Sequence, residues 1–483
     1  MKHASIPNVP TQLFLGGEWR DGSDGGTFAV ENPATGEVIA EVASATVADG
    51  MAALDAAEKA FPDWAAKKPR ERGEVLRRAF ELIMAQQEEL ARLITMENGK
   101  ALPDSRSEVA YAAEFFRWSS EEAVRAIGDL YRGPSSGARI VVGHKPAGIA
   151  VLVTPWNFPA AMATRKIGPA LAAGCPVILK PASATPLTML ALMPIMEQAG
   201  VPKGIISVLP SAHTGKLVDT LLHDGRVRVV SFTGSTEVGR KLLHAAADNI
   251  LNPAMELGGN APFVVLEDAD IDKAVDGAIV AKMRNIGEAC TAANRFYVHD
   301  KVHDAFADKL ASKMGGMKIG NGLEDGVEVG SLVDAETRDK VVELVDDAVK
   351  RGAKVLTGGS IRNGPGYFYQ PTVMVDVPED ARCFHEEIFG PVAALTRFSD
   401  EEDCIRRCND TEYGLVAYVF TKDMKRGMGF SERLDFGMIG LNRGLISDPA
   451  APFGGMKQSG IGREGAHHGI MEFLETQYIS VEW

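Results

Sequence analysis

Residues 229 to 242 read "VVSFTGSTEVGRKL". A largely apolar run, Val229 to Phe232 with only Ser231 polar, ends in Thr233-Gly234-Ser235, and a helical pattern follows at once. Apolar runs with no polar alternation are what a strand buried on both faces requires, and a helix directly after such a strand is the unit of a parallel sheet. Gly234 and Gly239 are spaced like the first and third glycines of a dinucleotide-binding turn, with Thr236 in place of the middle one. A glycine at the strand end lets a phosphate approach the backbone, and the free N–H groups of the helix start can hold it. A plain Gly-Ser turn is the alternative for this stretch taken alone.

The same alternation extends outward on both sides. "PVILK" precedes "TPLTMLALMPIMEQAG", "GIISVL" precedes "AHTGKLVDTLLHD", and "APFVVL" precedes "DIDKAVDGAIVAKMRN". A second series runs from "RFYVHD" to "GLVAYVFT". The fold class is therefore α/β, with mainly parallel sheets. Upstream, residues 48–65 read as an alanine-rich helix with Asp49 as its cap, and 70–100 as one long amphipathic helix ended by Gly99. The chain closes on "YISVEW", a candidate edge strand.

Composition bounds the function. A chain of 483 residues with 45% hydrophobic and 24% charged content is an ordinary globular protein of several domains. The net charge of −14 argues against nucleic acid and against a polybasic membrane surface. Pro155 and Pro159 interrupt the longest apolar stretch, so no membrane span is expected. Five cysteines form no disulfide framework, and the first residues show no secretory pattern. A cytoplasmic protein is expected. Cys404 and Cys408 lack partners at ligand spacing, so no metal site is expected.

Several residues can carry chemistry. Cys290, in "NIGEACTAANR" (285–295), stands among small residues and is either a buried structural thiol or a nucleophile that a substrate can reach. Glu256, in "MELGGNAP" (255–262), has little polar company, which raises a carboxyl pKa and suits a general base; a helix-end carboxylate facing water is the alternative. Asn157, between Trp156 and Phe158, can donate to an oxyanion or simply close a turn. Lys180, at the end of "PVILK", is placed to hold ribose or phosphate, or else is solvated.

Seven stretches occur in the order found in one family: "PWNFP", "KPAS", "FTGSTEVG", "MELGG", "GEAC", "EEIFGPV" (386–392) and "PFGGMKQSGIGREG" (452–465). By these the chain resembles the aldehyde dehydrogenase superfamily from about Phe14 onward. The resemblance implies a Rossmann-type cofactor domain, an α/β catalytic domain and a small β oligomerisation hairpin. The corresponding boundaries are 1–126 with 147–258, 259–457, and 127–146 with 470–483. It implies Cys290 as nucleophile, Glu256 as the base that activates water, and Asn157 as oxyanion donor. It implies NADP or NAD as cofactor: Lys180 on the adenosine ribose, Gly234 and Ser235 at the pyrophosphate, Glu387 at the nicotinamide ribose, and Trp156, Leu257 and Phe389 around the nicotinamide. Ser183 stands where strongly NAD-selective members often carry glutamate, so NADP is expected to be accepted.

Within the superfamily the chain is most similar to succinate-semialdehyde dehydrogenases. Arg165, eight residues after Asn157, Arg284, six before Cys290, and Ser447 match that group's grip on a distal carboxylate. Guanidinium suits a carboxylate through two-pronged hydrogen bonding, although each arginine could instead sit in a surface or interdomain ion pair. The substrate implied is an ω-carboxylated aldehyde, of succinate or glutarate chain length, or aldehydes in general. A homodimer or homotetramer is implied, with the terminal strand docking on the hairpin and a neighbouring subunit. Two residues depart from the common pattern: Glu288, expected to add charge near the nucleophile, and Arg443, expected near the substrate mouth.

Overall fold

The computed structural model describes residues 9–482. The first eight residues and Trp483, which the expected domain limits and "YISVEW" include, lie outside them. Two large sheets and two small ones, of three and two strands, organise the described residues.

The first sheet has eight strands. Its centre is five parallel strands in the spatial order Asn252–Glu256, Val227–Thr233, Ile149–Val153, Val177–Lys180, Ile206–Val208. The strand that contains "VVSFT" is buried at six of its seven positions, as its apolar run demands. The chain starts at Ile149–Val153, steps outward through two strands, then returns to its other side. That reversal opens a crevice beyond the carboxyl ends of Ile149–Val153 and Val227–Thr233, where ligands of such sheets bind.

The second sheet has seven strands, with Ala261–Val265, Ala293–His299, Val392–Phe398 and Val416–Phe420 at its parallel centre. Phe263 stacks on Phe420 at 4.9 Å and tilts against Phe296 at 5.0 Å, fixing this core. Gly258–Asn260, Cys290–Ala292 and Glu387–Phe389 all lie just before strands of this sheet. The amino ends of the second sheet thus face the carboxyl ends of the first.

Leu130–Arg132, Arg139–Pro146 and Leu474–Val481 form the third sheet, with Ile479 opposite Val141 and Tyr478 opposite Val142. Leu130, Tyr131, Tyr478 and Ile479 are exposed on it.

Two local expectations are corrected. Asp49 does not cap the helix Val47–Ala66. Thr46 does, and Asp49 returns the bond to the Thr46 backbone N–H at 2.9 Å, a reciprocal capping box. The stretch 70–100 is not one helix but two, Pro69–Ala85 and Gln87–Asn98, broken at Gln86, whose φ of −111° leaves the helical range. A bend that keeps the apolar face on the core leaves the periodicity intact, so the pattern hides it. Gly99 does end the second helix, left-handed at φ 94°.

Candidate active site

A cleft of about 790 Å³ lies where the two sheets meet. Trp156, Asn157, Thr233, Gly234, Ser235 and Leu257 wall it from the first sheet, and Cys290, Glu387 and Phe389 from the second. Residues distant in sequence thus share one wall because their strands end at one level.

Gly234 follows the last strand residue, and its N–H is bound by the Glu256 carbonyl at 3.0 Å. Ser235 caps the helix Thr236–Asp248, its hydroxyl accepting from Val238 N–H. A Cβ at Gly239 would stand 2.4 Å from Leu257, so glycine there lets helix and strand end pack closely. The buried Thr233 hydroxyl has no hydrogen-bond partner among the described residues. An open helix N-terminus, an orphaned hydroxyl and a cleft of this size fit a dinucleotide. Trp156 and Phe389 meet edge to face at 5.4 Å and give the cleft an apolar corner. Phe389 holds φ 54°, uncommon for a bulky residue. Glu387 accepts from Gly259 N–H at 3.4 Å; burial pushes its carboxyl up to about 7, with Lys340 and Lys282 opposing. Lys180 and Ser183 do not wall the cleft. They sit one strand further out, with Lys180 Nζ 3.4 Å from the Ser183 hydroxyl, which donates to the Ser211 carbonyl at 2.9 Å. Burial lowers Lys180 to about 8.

Cys290 opens onto the cleft. Burial pushes its thiol up to about 12; Arg165 and Arg284 pull it down, and Glu387 and Glu256 push it further up. Its loop is shaped by two left-handed residues, Asn285 (φ 53°) and Ile286 (φ 59°). Asn285 anchors that turn, donating to the carbonyls of Asn157 (2.9 Å) and Glu288 (2.8 Å) and from its own N–H to Asp104 (3.0 Å). The Asn157 amide donates one hydrogen to the Glu288 carbonyl at 3.0 Å, which leaves its second N–H to the cleft. The Asn157 carbonyl also accepts from Lys100 at 2.6 Å, and Lys100 is ion-paired to Glu108 in a fully buried position.

Glu256 ends its strand, 3% exposed, with no hydrogen-bond partner on either carboxylate oxygen among the described residues. Burial, then repulsion from Glu464, raises its pKa well above the usual carboxylate range. A raised carboxyl pKa makes the ionised form a stronger base toward water. Glu464 itself is held below its ordinary pKa despite burial, because Arg165 and Lys166 both pair with it.

Arg165 is 1% exposed, paired with Glu464 and stacked on Phe453 at 4.3 Å. The ion pair foreseen as its alternative exists, but it is buried beside the nucleophile rather than on the surface. Arg284 lies over Phe158 at 4.9 Å and donates to the Ser447 hydroxyl at 3.1 Å. Arg165, Arg284 and Ser447 all border the phenol of Tyr111.

The expectation for Glu288 is corrected. Its carboxyl turns away from the cleft into the interior and accepts from Val333 N–H at 3.0 Å, and burial raises its pKa well above the usual carboxylate range. It does not line the cleft onto which the nucleophile opens. Arg443 is exposed and lines a separate hollow with Leu445, Ser447 and Phe453. The helix Ala335–Lys350 faces the cleft through Thr337, Lys340 and Glu343. Tyr111, Lys100 and Lys340 had no signal in the sequence. Glu464 did: it is the carboxylate of "GIGREG".

Two facing α/β sheets, with a thiol, an amide donor and a buried carboxyl at the cleft between them, define a dinucleotide-dependent oxidoreductase architecture. The chain belongs to the aldehyde dehydrogenase family, whose model matches residues 19–479. It is 52% identical to a succinate-semialdehyde dehydrogenase of Paenarthrobacter nicotinovorans, over 92% of this chain and 99% of that one. It is 50% identical to a glutarate-semialdehyde dehydrogenase of Pseudomonas putida, over 97% of each. A crystal structure of an Escherichia coli NADP-dependent enzyme superposes with a TM-score of 0.97 at 46% identity, covering 98% of each chain. Among the described residues no helix is long and apolar enough to cross a membrane.

Proposed function

We propose that this enzyme oxidises succinate semialdehyde to succinate with NADP or NAD. The observation that carries the reading is the basic patch beside Cys290, where Arg284 meets Ser447 and both arginines border Tyr111. A neutral aldehyde gains nothing from two guanidinium groups, whereas a distal carboxylate gains charge-assisted hydrogen bonds.

Cys290 loses its proton and its sulfur adds to the aldehyde carbon. The Asn157 amide and the Cys290 backbone N–H hold the resulting oxyanion. A nicotinamide held beside Trp156, Leu257 and Phe389 would supply the oxidant, as the hydride acceptor for that carbon. Collapse leaves a thioester on Cys290. Glu256 then takes a proton from water, the hydroxide adds to the thioester carbonyl, and the carbon–sulfur bond breaks to release the carboxylic acid. Substrate, water and oxidised cofactor thus become acid, reduced cofactor and one proton.

On the cofactor, Gly234, Ser235 and the helix N-terminus hold the pyrophosphate, Glu387 the nicotinamide ribose, and Lys180 the adenosine ribose. Trp156, Leu257 and Phe389 enclose the nicotinamide. Ser183 leaves room for a 2′-phosphate, and the likeness to an NADP-dependent structure supports NADP use. The cofactor domain comprises 1–126 and 147–258, the catalytic domain 259–457, and 127–146 with 470–483 the oligomerisation element. The exposed Leu130, Tyr131, Tyr478 and Ile479 support a homodimer or homotetramer through that element. Five free cysteines support a reducing, cytoplasmic setting.

Initial rates of cofactor reduction with succinate semialdehyde, glutarate semialdehyde and butyraldehyde, each with NAD and NADP, test the reading. A kcat/KM for succinate semialdehyde far above that for butyraldehyde is expected; parity would overturn it. Glutarate semialdehyde is the second reading, favoured by the Pseudomonas relative and by Arg443 near Ser447.

A further inference from the structure

We propose that the phenol of Tyr111 is a third ligand of the substrate's distal carboxylate, donating a hydrogen bond between Arg165 and Arg284. The inference rests on the reading of the protein as a dehydrogenase of an ω-carboxylated aldehyde.

Tyr111 projects from the helix Leu102–Glu122. Its hydroxyl is buried and, among the described residues, no group satisfies it in normal hydrogen-bond geometry, although Arg165 and Ser447 stand close by. Buried tyrosine hydroxyls normally find a partner, so an orphan aimed at a charged patch points to a ligand that completes it. The neighbours are already committed in part. Arg165 pairs with Glu464, and Arg284 spends one nitrogen on Ser447. A carboxylate offers about four acceptor sites, so it can take a hydroxyl donor as well as the two guanidinium groups. A neutral hydroxyl between them fills the gap without adding further positive charge.

The ring is held for this task. It meets Phe115 edge to face at 4.8 Å, and the Arg284 guanidinium lies 5.6 Å from its centre. A donor locked in place loses little rotamer freedom on binding. Burial also raises the phenol pKa, so the group keeps the proton it must donate.

The test is Tyr111→Phe, which keeps the ring and removes only the hydroxyl. The kcat/KM for succinate semialdehyde should fall about 10- to 100-fold, mostly through KM, while that for butyraldehyde stays within about twofold. Succinate binding to the cofactor-loaded enzyme, measured by calorimetry, should weaken by a similar factor, a readout that a packing role would not move selectively. Equal losses with both aldehydes would make Tyr111 a packing residue and overturn the proposal. Unchanged succinate affinity would overturn it as well. If the unaltered enzyme already treats butyraldehyde and succinate semialdehyde alike, the carboxylate reading itself fails and this inference falls with it. A clear preference in that enzyme that survives Tyr111→Phe would remove only the Tyr111 assignment.

Discussion

The backbone of Gly259 packs directly under Cys290: a Cβ at position 259 would stand 2.6 Å from the Cys290 carbonyl oxygen. No real Cβ tolerates that distance, and a backbone oxygen cannot swing aside as a side chain can. The second glycine of "MELGG" therefore exists to let the nucleophile's loop close onto the strand Ala261–Val265. Gly259→Ala should push that loop outward and lower kcat roughly 10- to 100-fold, since about 1 Å of misplacement costs that much. Gly215→Ala, where a Cβ meets open space within the helix Thr214–Leu222, is the control and should leave rates unchanged. Equal rates for the two variants would show that the loop absorbs the shift.

Glu256 offers a sharper separation of steps. Both its oxygens lack partners, so Glu256→Gln fits without breaking a hydrogen bond. Hydride transfer should survive and thioester hydrolysis should not. Stopped-flow absorbance should show a burst of reduced cofactor near one equivalent per site, then a steady rate lowered about 10²- to 10⁴-fold. An undiminished steady rate would assign the water-activating role elsewhere.

Much of this was legible in the sequence. Parallel strands buried on both faces read as bare apolar runs, and Gly234, Glu256 and Lys180 stand at their ends, where an open α/β sheet binds ligands. What stayed hidden has a common cause: periodicity tells which face of a helix is buried, not what crosses the chain to meet it. Tyr111 and Lys100 belong to an amino-terminal segment packed against the catalytic loop, 179 and 190 positions before Cys290 in number alone. Glu288 looked like a charge at the active site because sequence cannot say that its side chain turns inward to Val333. The break at Gln86 left the apolar stripe continuous on both sides.

Cofactor affinity should depend on pH through Glu387. Its pKa stands near 7 because burial disfavours the charged form. A carboxylate accepts ribose hydroxyls strongly, whereas a protonated carboxyl loses part of that capacity. Below pH 7 the proton must first be displaced, so the cofactor KM should fall as pH rises from about 6 to 8 and then level off. Glu387→Gln should flatten that dependence and hold the KM high throughout. A profile identical in the two proteins would exclude Glu387 as its source.

Lys100 couples stability to the oxyanion donor. It is fully buried, bonded both to Glu108 and to the Asn157 carbonyl at 2.6 Å. Lys100→Met strands a buried carboxylate and should cost about 3–5 kcal/mol of stability. Pairing it with Glu108→Gln keeps acceptors for the Ala160 and Ala161 N–H groups while removing the stranded charge, and should recover much of the loss. Thermal melting reads the stability. Activity should stay low in both, because Asn157 has lost its tether; full activity in a folded Lys100→Met variant would refute that link.

The choice between NADP and NAD rests on Ser183. Its hydroxyl is turned to the Ser211 carbonyl at 2.9 Å, and the Lys180 ammonium lies 3.4 Å away. With its pKa near 8, Lys180 is mostly cationic at neutral pH and can meet either ribose hydroxyls or a 2′-phosphate. Ser183→Glu changes two terms together. It places a carboxylate against a phosphate carrying nearly two negative charges, and it gives Lys180 a competing partner. A like-charge contact of this kind costs several kcal/mol in a semi-buried site, part of which the side chain relieves by turning away. The kcat/KM for NADP should therefore fall roughly 100-fold, while that for NAD, whose ribose hydroxyls can donate to the new carboxylate, should hold or improve. The ratio of the two, measured with one aldehyde under saturating conditions, isolates the effect from any general loss of folding. If the ratio does not move, the 2′-phosphate is not bound beside residue 183, and cofactor choice is made elsewhere along the cleft.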